Sequence, residues 1–590
     1  MFSSSNTPTL NQIFLLLSNN LLLMAPLTKL LSLALLAASS ATAIQTSLGV
    51  NKTPGKVRRE IEARKQASHL SRREDTDPTL LYQEHNISVP IDHFFNDSRY
   101  EPHTDESFPL RYWFDASHYQ PGGPVFVLQS GEFDSVARLP FMQKGIVAQV
   151  AAATHGIGVV LEHRYYGTSF PVANLTNESL RFLTTEQALA DAAFFAQHIQ
   201  FPGLEEFGDL TSNTTAWITY GGSYAGAFSA FLRIQYPDIF WGAISSSGVT
   251  KAIYDYWEYM EPIAEYAPQD CVATHKAVFD IVDTILISKN DSSLSLELKT
   301  AFGYPNITYD DDFAGALISG LQYWQSLNWD PEMSYNYTFE YCSNITTTDV
   351  LYPETESKRT AIEGLISEGG YQANTTFVNN ILNMIGWLQW DSAANQCSEG
   401  VTQDECYGTH YSTPIDTTLA NADYLTWQWQ TCTEWGFFFT ANVPKGELPI
   451  ISRFDTLERA TRECREQFNI TGPPDVERVN KYGGYDIAYP RLGFIAGQWD
   501  PWTPATPHAF KYGAKNRTST VSQPFIEIEA AVHHWDENGV FPNETTADFP
   551  PRAVQDAQAR EVETVLEWMS EWKARCEGES GGSPITKADL

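Results

Sequence analysis

The sequence predicts an α/β fold in which helices cover both faces of a mostly parallel β-sheet. Strand-like apolar runs alternate with helical segments up to about residue 250, and this pattern returns after about residue 470. Between the two parts the chain is rich in aromatic residues and favours helices separated by loops. We therefore expect a sheet domain made from two parts of the chain, with residues 251–470 inserted as a large, mainly helical cap.

The first part of the chain contains the elements that such a sheet needs. Pro124–Leu128, Gly158–Glu162 and Ile239–Ser245 are short apolar runs typical of buried strands. A helix is predicted over Thr184–His198, and its first residue and Gln187 have the spacing of a capping box. A closing amphipathic helix is predicted near the C-terminus, over 554–576. Its apolar stripe indicates core packing and consists of Val562, Val565, Met569 and Trp572.

A strand–turn–helix elbow is predicted around Ser223. The run Trp217–Tyr220 is apolar and strand-prone, two glycines follow it, and small residues then open a helix-compatible segment. Such a turn holds the serine hydroxyl out at its tip. Gly221 avoids a clash in a tight turn, whereas Ala225 stands where the motif has another glycine. An ordinary glycine-rich turn is the alternative interpretation.

Two later segments supply the partners that an elbow serine needs. The apolar run Leu492–Gly497 is followed by Asp500, and the alternating run Pro524–Ile528 leads to His533 and His534. On the α/β-hydrolase fold the catalytic residues follow in the chain order serine, acid, histidine, and sites lie at the carboxyl ends of strands. The order in this chain therefore predicts nucleophilic catalysis on that fold.

Each of these signals has a structural alternative. Asp500 also has the position of a turn-capping residue before Pro501. The two histidines also have the composition of a surface pair or of half a metal site. No third ligand with zinc-like spacing accompanies them, so we expect no metal and no other cofactor.

Several motifs together resemble one family of serine peptidases. The strongest are Gly221–Gly226, Glu162–Gly167, Gly497–Trp502 and Val532–Asp536, and weaker ones are Asp92–Phe94, Leu183–Asp191 and Gln430–Glu434. This combination resembles the prolyl carboxypeptidase and dipeptidyl peptidase II family, which includes secreted fungal members. The resemblance extends over roughly residues 80–575.

The resemblance implies roles for three residues: Ser223 as the nucleophile, Asp500 as the orienting acid and His533 as the base. The preference for His533 over His534 follows the family pattern, because spacing alone leaves both open. The family cleaves after proline, so the resemblance implies an acyl-enzyme peptidase for proline-containing peptides. Carboxypeptidase, dipeptidyl peptidase and endopeptidase modes all stay open. A carboxylesterase or lipase on the same fold, or a non-catalytic binding module, is the alternative.

Oxyanion donors and a proline pocket are also expected near the serine. One donor is the backbone N–H of Tyr224, directly after the nucleophile, and the other comes from near Gly131, in the loop after the strand 124–128. Trp499, Trp502 and Trp535 flank the catalytic residues in sequence and are candidates for an apolar pocket. Core packing is an equal alternative for these tryptophans. Trp535 stands where many family members have leucine.

Composition and targeting signals indicate a secreted enzyme. The chain has 590 residues and a formal net charge of −34, which argues against nucleic acid as a partner because nucleic acid needs basic surfaces. Residues 1–43 have the organisation of a signal peptide, with the start at Met1 or Met24, and 44–78 form a basic pro-segment or flexible tail. We expect peptide substrates, no membrane association after signal removal, and an extracellular location, with a vacuolar or lysosome-like compartment as the alternative. The oligomeric state, a dimer included, stays open.

Glycosylation motifs of the type Asn-x-Ser/Thr also indicate export. They begin at Asn86, Asn96, Asn174, Asn177, Asn213, Asn290, Asn306, Asn336, Asn344, Asn374, Asn469, Asn516 and Asn543.

The cysteines are concentrated in the predicted insertion. Six of the seven lie from Cys271 to Cys464, which predicts disulfide bonds there and leaves one cysteine over. Spacing does not reveal the connectivity. The predicted organisation is thus a first core part over 79–250, a disulfide-stapled cap over 251–470, a second core part over 471–580 and a flexible tail over 581–590.

Overall fold

The computed structural model describes residues 77–331, 333–334, 336–391, 400–410 and 416–579. The predicted signal peptide, nearly all of the predicted pro-segment and the C-terminal tail lie outside these residues. Among the described helices, none combines the length and the apolar character needed to cross a bilayer.

Ten strands are present in the described residues, and eight of them form one central sheet. Their bounds are β1 (His85–Pro90), β2 (Ser107–Asp115), β3 (Val125–Gln129), β4 (Ile157–Leu161), β5 (Trp217–Gly222), β6 (Gly242–Ser246), β7 (Ile253–Asp255), β8 (Gly436–Phe438), β9 (Leu492–Gly497) and β10 (Phe525–Ile528). The order across the sheet is β1-β2-β4-β3-β5-β6-β9-β10. β1 and β4 both pair with β2 antiparallel, whereas all other neighbours are parallel. This is the predicted α/β-hydrolase architecture.

The central strands are recognisable in the sequence because both of their faces are covered. Every residue of β3, β4, β5, β6 and β9 is buried, so these strands are nearly continuous apolar runs. β10 lies at the edge of the sheet and alternates between buried and more exposed positions.

Helices cover the two faces of the sheet. Those in the first part are α1 (Pro78–Leu81), α2 (Leu139–Gln143), α3 (Ile146–Thr154), α4 (Asn177–Leu180), α5 (Thr185–His198) and α6 (Tyr224–Gln235). α5 and α6 share one apolar core with one face of the sheet. α2, α3 and the final helix share the opposite core, which includes Trp568.

The chain between β6 and β9 is mainly helical, as predicted. Its helices are α7 (Met260–Tyr266), α8 (Gln269–Asp283), α9 (Ser292–Phe302), α10 (Asp310–Ala316), α11 (Tyr337–Thr346), α12 (Arg359–Glu368), α13 (Thr375–Asp391), α14 (Gln403–Tyr407), α15 (Ala422–Gln430), α16 (Leu457–Ala460), α17 (Arg462–Phe468) and α18 (Glu477–Asn480). A 3-10 helix, Leu321–Ser326, and the small parallel sheet of β7 and β8 accompany them. The last helix of the chain is α19 (Arg552–Glu579).

Disulfide bonds lie within this inserted segment. Cys271 of α8 is bonded to Cys342 of α11, and Cys432 is bonded to Cys464 of α17. Cys406 is also disulfide-bonded. Cys397 lies outside the described residues. The clustering of cysteines in the sequence therefore predicted the location of the disulfides correctly.

The predicted helix over Thr184–His198 is present, but its capping box is only half formed. The Thr184 side chain accepts a hydrogen bond from the Gln187 backbone N–H, as an N-cap residue does. The Gln187 side chain instead bonds the His93 backbone N–H and the Asp92 carboxylate. A long-range partner thus replaces the local one.

The glycosylation motifs lie at the surface. All of the asparagines predicted to carry sugars are exposed except Asn344, which is partly buried. Asn344 Nδ2 donates to the Glu340 carbonyl, and its Oδ1 accepts from the Tyr352 hydroxyl.

Candidate active site

Ser223 lies at a sharp turn between β5 and α6. Its φ of 60° is in the left-handed region, which is strained for a serine. The Ser223 N–H donates to the Ser246 carbonyl of β6, 2.9 Å away, and this bond helps to hold the strained turn. A Cβ on Gly221 would lie 2.2 Å from the Ala225 carbonyl oxygen, so the turn requires glycine there. The Ala225 methyl occupies part of the space that this missing side chain leaves.

Asp500 and His533 follow the adjacent parallel strands β9 and β10. The two Asp500 carboxylate oxygens lie 3.0 and 2.9 Å from His533 Nδ1. Asp500 is fully buried, and its carboxylate also accepts a hydrogen bond from the Trp502 N–H. It therefore caps the turn at Pro501 in addition to binding His533. Burial lowers the pKa of His533, although the Asp500 charge opposes this. The His533 imidazole therefore stays neutral down to a lower pH than a free histidine does.

Ser223 and His533 line the same cavity, beneath the inserted segment. Its apolar lining includes Val249, Trp427, Phe437 and Trp502, which we call the aromatic wall. Its charged lining consists of Glu132, Arg138, His534 and Glu537, which we call the charged wall. The cavity therefore offers both aromatic and ionisable groups to a ligand near the two residues.

Of the three tryptophans predicted for the pocket, only Trp502 is among the described residues that line the cavity. Its ring lies 6.2 Å from that of His533, and its Nε1 donates to Gln325. Trp499 stacks on Tyr266 instead. Trp535 donates to the Leu327 carbonyl and packs against the core. These two indoles therefore take the packing role that the sequence analysis gave as the alternative.

The predicted oxyanion donors lie side by side. Tyr224 is the first residue of α6, so its N–H has no partner within the helix. Gly131 has a φ of +70°, and a Cβ built on it would be 3.2 Å from the Ala225 Cβ and 3.6 Å from the Tyr224 ring. No group in the described residues accepts a hydrogen bond from either N–H. Both are thus available to an oxygen at the serine.

The motif Glu162–Gly167 supports the loop and the elbow from below. Glu162 binds Arg111 and accepts from the Ser135 N–H, which fixes the loop that carries Gly131. Burial lowers the pKa of His163 to about 4, so this ring is neutral. Its Nδ1 faces the Arg164 carbonyl and is the donor, and its Nε2 therefore accepts from the Tyr224 hydroxyl at 2.9 Å.

The motif Gln430–Glu434 connects the inserted segment to the same region. Gln430 Nε2 donates to the Tyr224 hydroxyl at 3.1 Å, and Glu434 accepts from both the N–H and the hydroxyl of Thr185. The Tyr166 hydroxyl donates to the Gln430 side-chain oxygen. Sequence reasoning gave these motifs no role, because their partners are far away along the chain.

The charged wall of the cavity is a linked set of ionisable groups. Glu537 Oε2 lies 2.8 Å from His534 Nδ1 and 3.6 Å from Arg138 Nη1. Burial works against charge on His534, but the Glu537 charge and contact outweigh it and raise the His534 pKa. Burial raises the pKa of Glu132. Of these four groups, sequence reasoning singled out only His534.

The neighbouring serines do not compete with Ser223. Ser245, Ser246 and Ser247 are fully buried. The Ser246 hydroxyl donates to Asp536, and the Ser247 hydroxyl accepts from the His534 N–H. Ser246 and Ser247 therefore support the site from inside the protein.

A separate cluster of potential metal ligands lies in the inserted segment. It consists of Asp311, Asp312 and His410, whose ligand atoms lie within 4.8 Å of one another. Arg462 already binds Asp311 at 2.7 Å, and a guanidinium disfavours a second cation beside it.

The sheet, the strained elbow serine and the buried Asp–His pair place the protein among the α/β-hydrolase enzymes. The chain belongs to the Serine carboxypeptidase S28 family, which residues 90–547 match. It is a serine-type peptidase and therefore a hydrolase.

Individual relatives agree with this family. A probable extracellular serine carboxypeptidase of Arthroderma benhamiae is 50% identical over 495 residues, which cover 84% of this chain and 69% of the relative. The serine protease vicPa of Bipolaris victoriae is 27% identical over 445 residues, or 73% of this chain and 80% of the relative. Among solved structures, an acetylester hydrolase from Corynebacterium glutamicum is 12% identical with a TM-score of 0.33, covering 83% of this chain and 99% of that one. So low a score adds nothing to the fold described above.

Proposed function

We propose that the protein is a secreted peptidase that cleaves after proline and uses Ser223, Asp500 and His533 as its catalytic triad. The observation that carries this proposal is the shared cavity. The elbow serine and the histidine line it together, and that histidine is held at Nδ1 by a buried aspartate. Family membership supports a serine nucleophile independently of this geometry.

In the proposed mechanism, His533 acts as general base. Because Nδ1 bonds Asp500, Nε2 is the nitrogen left to take the Ser223 proton as the hydroxyl attacks the peptide carbonyl. Asp500 holds the tautomer and stabilises the imidazolium. The imidazolium then protonates the leaving amine, and a water molecule releases the acyl-enzyme by the same route.

The N–H groups of Tyr224 and Gly131 are the proposed oxyanion hole. A preorganised donor of this kind contributes about 3 kcal/mol to transition-state stabilisation. The support of Gly131 by Glu162 and of Tyr224 by His163 suits this role, because both donors are held before the substrate binds.

The aromatic wall is the proposed pocket for the proline ring. Trp502, Phe437 and Trp427 present flat apolar surfaces next to His533 and Tyr224. Such surfaces bury a pyrrolidine ring without an unpaired polar group. The inserted segment supplies two of these three rings, so we propose that residues 251–470 act as a cap over the site.

Carboxypeptidase action is the mode that we propose first. The relative with 50% identity is named a carboxypeptidase, and the charged wall offers Arg138 and His534 to a terminal carboxylate. We also propose that the protein is exported and glycosylated, since its sequon asparagines are exposed and that relative is named as extracellular.

The nucleophile is tested with Ser223→Ala, which removes the attacking oxygen. We expect it to lose labelling by a fluorophosphonate and about 10⁶-fold in kcat. Ser245→Ala is the matched control, because the Ser245 hydroxyl is buried without a hydrogen-bond partner in the described residues. It should label as the wild type does. Labelling of the Ser223→Ala protein would point to another nucleophile and refute the proposal.

The mode is tested with proline peptides blocked at one end. If a blocked C-terminus alone stops cleavage, the enzyme is a carboxypeptidase. If a blocked N-terminus alone stops it, the enzyme is a dipeptidyl peptidase, and cleavage of both blocked peptides indicates an endopeptidase. Rapid hydrolysis of simple esters with no cleavage of any proline peptide would reject the proposed substrate class.

A further inference from the structure

Glu561 is a carboxyl group buried in the core directly behind the proposed active site. It lies on α19 and is fully buried. In the ionised form, neither of its oxygens has a hydrogen-bond partner among the described residues. Burial raises the pKa of Glu561 well above its usual range, and the charge of Asp536 raises it further. A proton on this carboxyl removes the cost of a buried, unpaired charge.

The acidic neighbour of Glu561 is Asp536, three residues after His533. Asp536 is also buried, and it accepts from the Tyr220 hydroxyl at 2.7 Å and from the Ser246 hydroxyl at 2.5 Å. Two hydroxyl groups thus already donate to the Asp536 carboxylate, whereas Glu561 receives no hydrogen bond from the described residues. Two carboxylates are both acceptors and cannot bond each other, but a proton on Glu561 makes it the donor.

The titratable surroundings of Glu561 are few. Besides Asp536, the titratable group that faces it is the Tyr220 hydroxyl of β5, and both Asp536 and Glu561 act on that tyrosine. α3 and β6, which also pack on α19, carry no charged residue, and Glu527 of β10 is exposed. Glu537 also acts on Tyr220, and the basic group on which Asp536 acts, His534, is already bound by Glu537 at 2.8 Å.

The same helix holds the loop after His533 at a second point. Gln558, one turn before Glu561, donates from Nε2 to the carbonyls of Asp536 and Asn538, at 2.8 and 2.6 Å. Asp536 in turn binds Ser246, whose carbonyl accepts the Ser223 N–H. A continuous chain of contacts thus runs from α19 through the histidine loop to the elbow.

We propose that Glu561 is a positioning residue for the reaction, and that its carboxyl shares one proton with Asp536 to hold the loop 533–538 against the serine elbow. The loss of that proton places two negative charges side by side in the core. The pair then pushes the loop away from β5 and β6. The reactivity of Ser223 and the stability of the fold are both coupled to this proton. The catalytic part of the inference rests on the proposed function.

Three variants test this proposal. Glu561→Gln keeps the volume and a donor but cannot titrate, Glu561→Leu removes the donor, and Glu563→Gln is the control at an exposed position of the same helix. At pH 5 we expect Glu561→Leu to lower kcat and the rate of fluorophosphonate labelling about 10- to 100-fold with KM little changed. Glu561→Gln and Glu563→Gln should stay within about twofold of the wild type.

The dependence of stability on pH tests the proton itself. A carboxyl that keeps its proton on folding makes the folded state less favourable as pH rises above its unfolded pKa. Relative to Glu561→Gln, the wild type should lose close to tenfold in its folding equilibrium constant per pH unit above about 5, until Glu561 ionises. Glu563→Gln should follow the wild type.

Two results would overturn the proposal. A difference in stability between the wild type and Glu561→Gln that stays constant from pH 5 to 7 excludes the shared proton. Full kcat and full labelling in Glu561→Leu exclude the positioning role. Fluorophosphonate labelling needs no peptide, so it tests the role of Glu561 independently of the proposed substrate class. If the variants label at the expected rates but no proline peptide is cleaved, the proposed specificity is rejected and the role of Glu561 is retained.

Discussion

The environment of His533 combines two opposing influences on one imidazole. Burial lowers its pKa, and Asp500 at 2.9 Å acts in the other direction. A general base has to be neutral before it can take a proton, so a lowered pKa extends its working range into acid.

The first prediction concerns the pH profile of His533. Activity should fall as pH drops through the His533 pKa, and because that pKa is lowered, the acid limb of kcat/KM should lie below pH 6.5. Asp500→Asn should reduce kcat about 10³- to 10⁴-fold, because the wrong tautomer is then held. Steady-state kinetics from pH 3 to 8 measure both. An acid limb above pH 6.5 would contradict the assignment of His533 as the base.

The second prediction concerns the proline pocket. Trp502→Ala should lower kcat/KM for proline peptides at least tenfold, since the ring next to His533 is lost. Its effect on fluorophosphonate labelling should be smaller. Trp499→Ala is the matched control, because Trp499 is not among the described residues that line the cavity. Equal losses in the two variants would show that the tryptophans act only through packing.

At the scale of elements, the decisive contact is between the loop after β3 and the start of α6. Gly131 approaches Ala225 closely, and the loop is held in turn by Glu162. Ala225, which departs from the usual elbow motif, is accommodated because neither Gly221 nor Gly131 has a side chain. The motif therefore has to be understood across two elements of the sheet domain.

The third prediction tests this contact. Gly131→Ala adds a Cβ 3.2 Å from the Ala225 Cβ at a φ of +70°, so it should shift the proposed oxyanion donor and lower kcat about tenfold or more with KM little changed. Gly122→Ala is the control for backbone strain alone, because Gly122 has a φ of +94° and open space around it. We expect Gly122→Ala to cost about 1 kcal/mol or more of stability, without loss of kcat. A normal kcat in Gly131→Ala would contradict the expected displacement of this donor.

Elements whose signals are local could be predicted from the sequence. The buried strands, the elbow and the N-cap at Thr184 each depend on residues within a few positions of one another. The second half of the predicted capping box is absent because the Gln187 side chain bonds Asp92 and not the Thr184 backbone. Trp427 and Phe437 were not assigned to the pocket, since only the folding of the inserted segment brings them to His533. Glu132 was not assigned to it either, although it directly follows Gly131.

At the scale of the whole molecule, charge is the dominant feature. With a formal net charge of −34 at pH 7, the negative charges within one folded molecule repel one another and destabilise the compact state, and salt screens this repulsion. The excess of acidic residues places the sequence pI at about 4.7, and the net charge is small near that pH.

The fourth prediction follows from this charge. Raising NaCl from about 10 mM to 150 mM shortens the Debye length from roughly 30 to 8 Å. The thermal midpoint at pH 7 should then rise, whereas at pH 4.7 it should change much less. Calorimetry at the two pH values measures this difference. An equal response at both would mean that salt acts through something other than the net charge.

The order of Ser223, the inserted segment and His533 along the chain has a consequence for biosynthesis. The ribosome completes the serine elbow long before it makes β9, β10 and α19, and without these the histidine loop has nowhere to dock. We therefore expect the proposed triad to stay incomplete, and a nascent chain to lack peptidase activity, until the segment that carries His533 has been made and has folded onto the sheet.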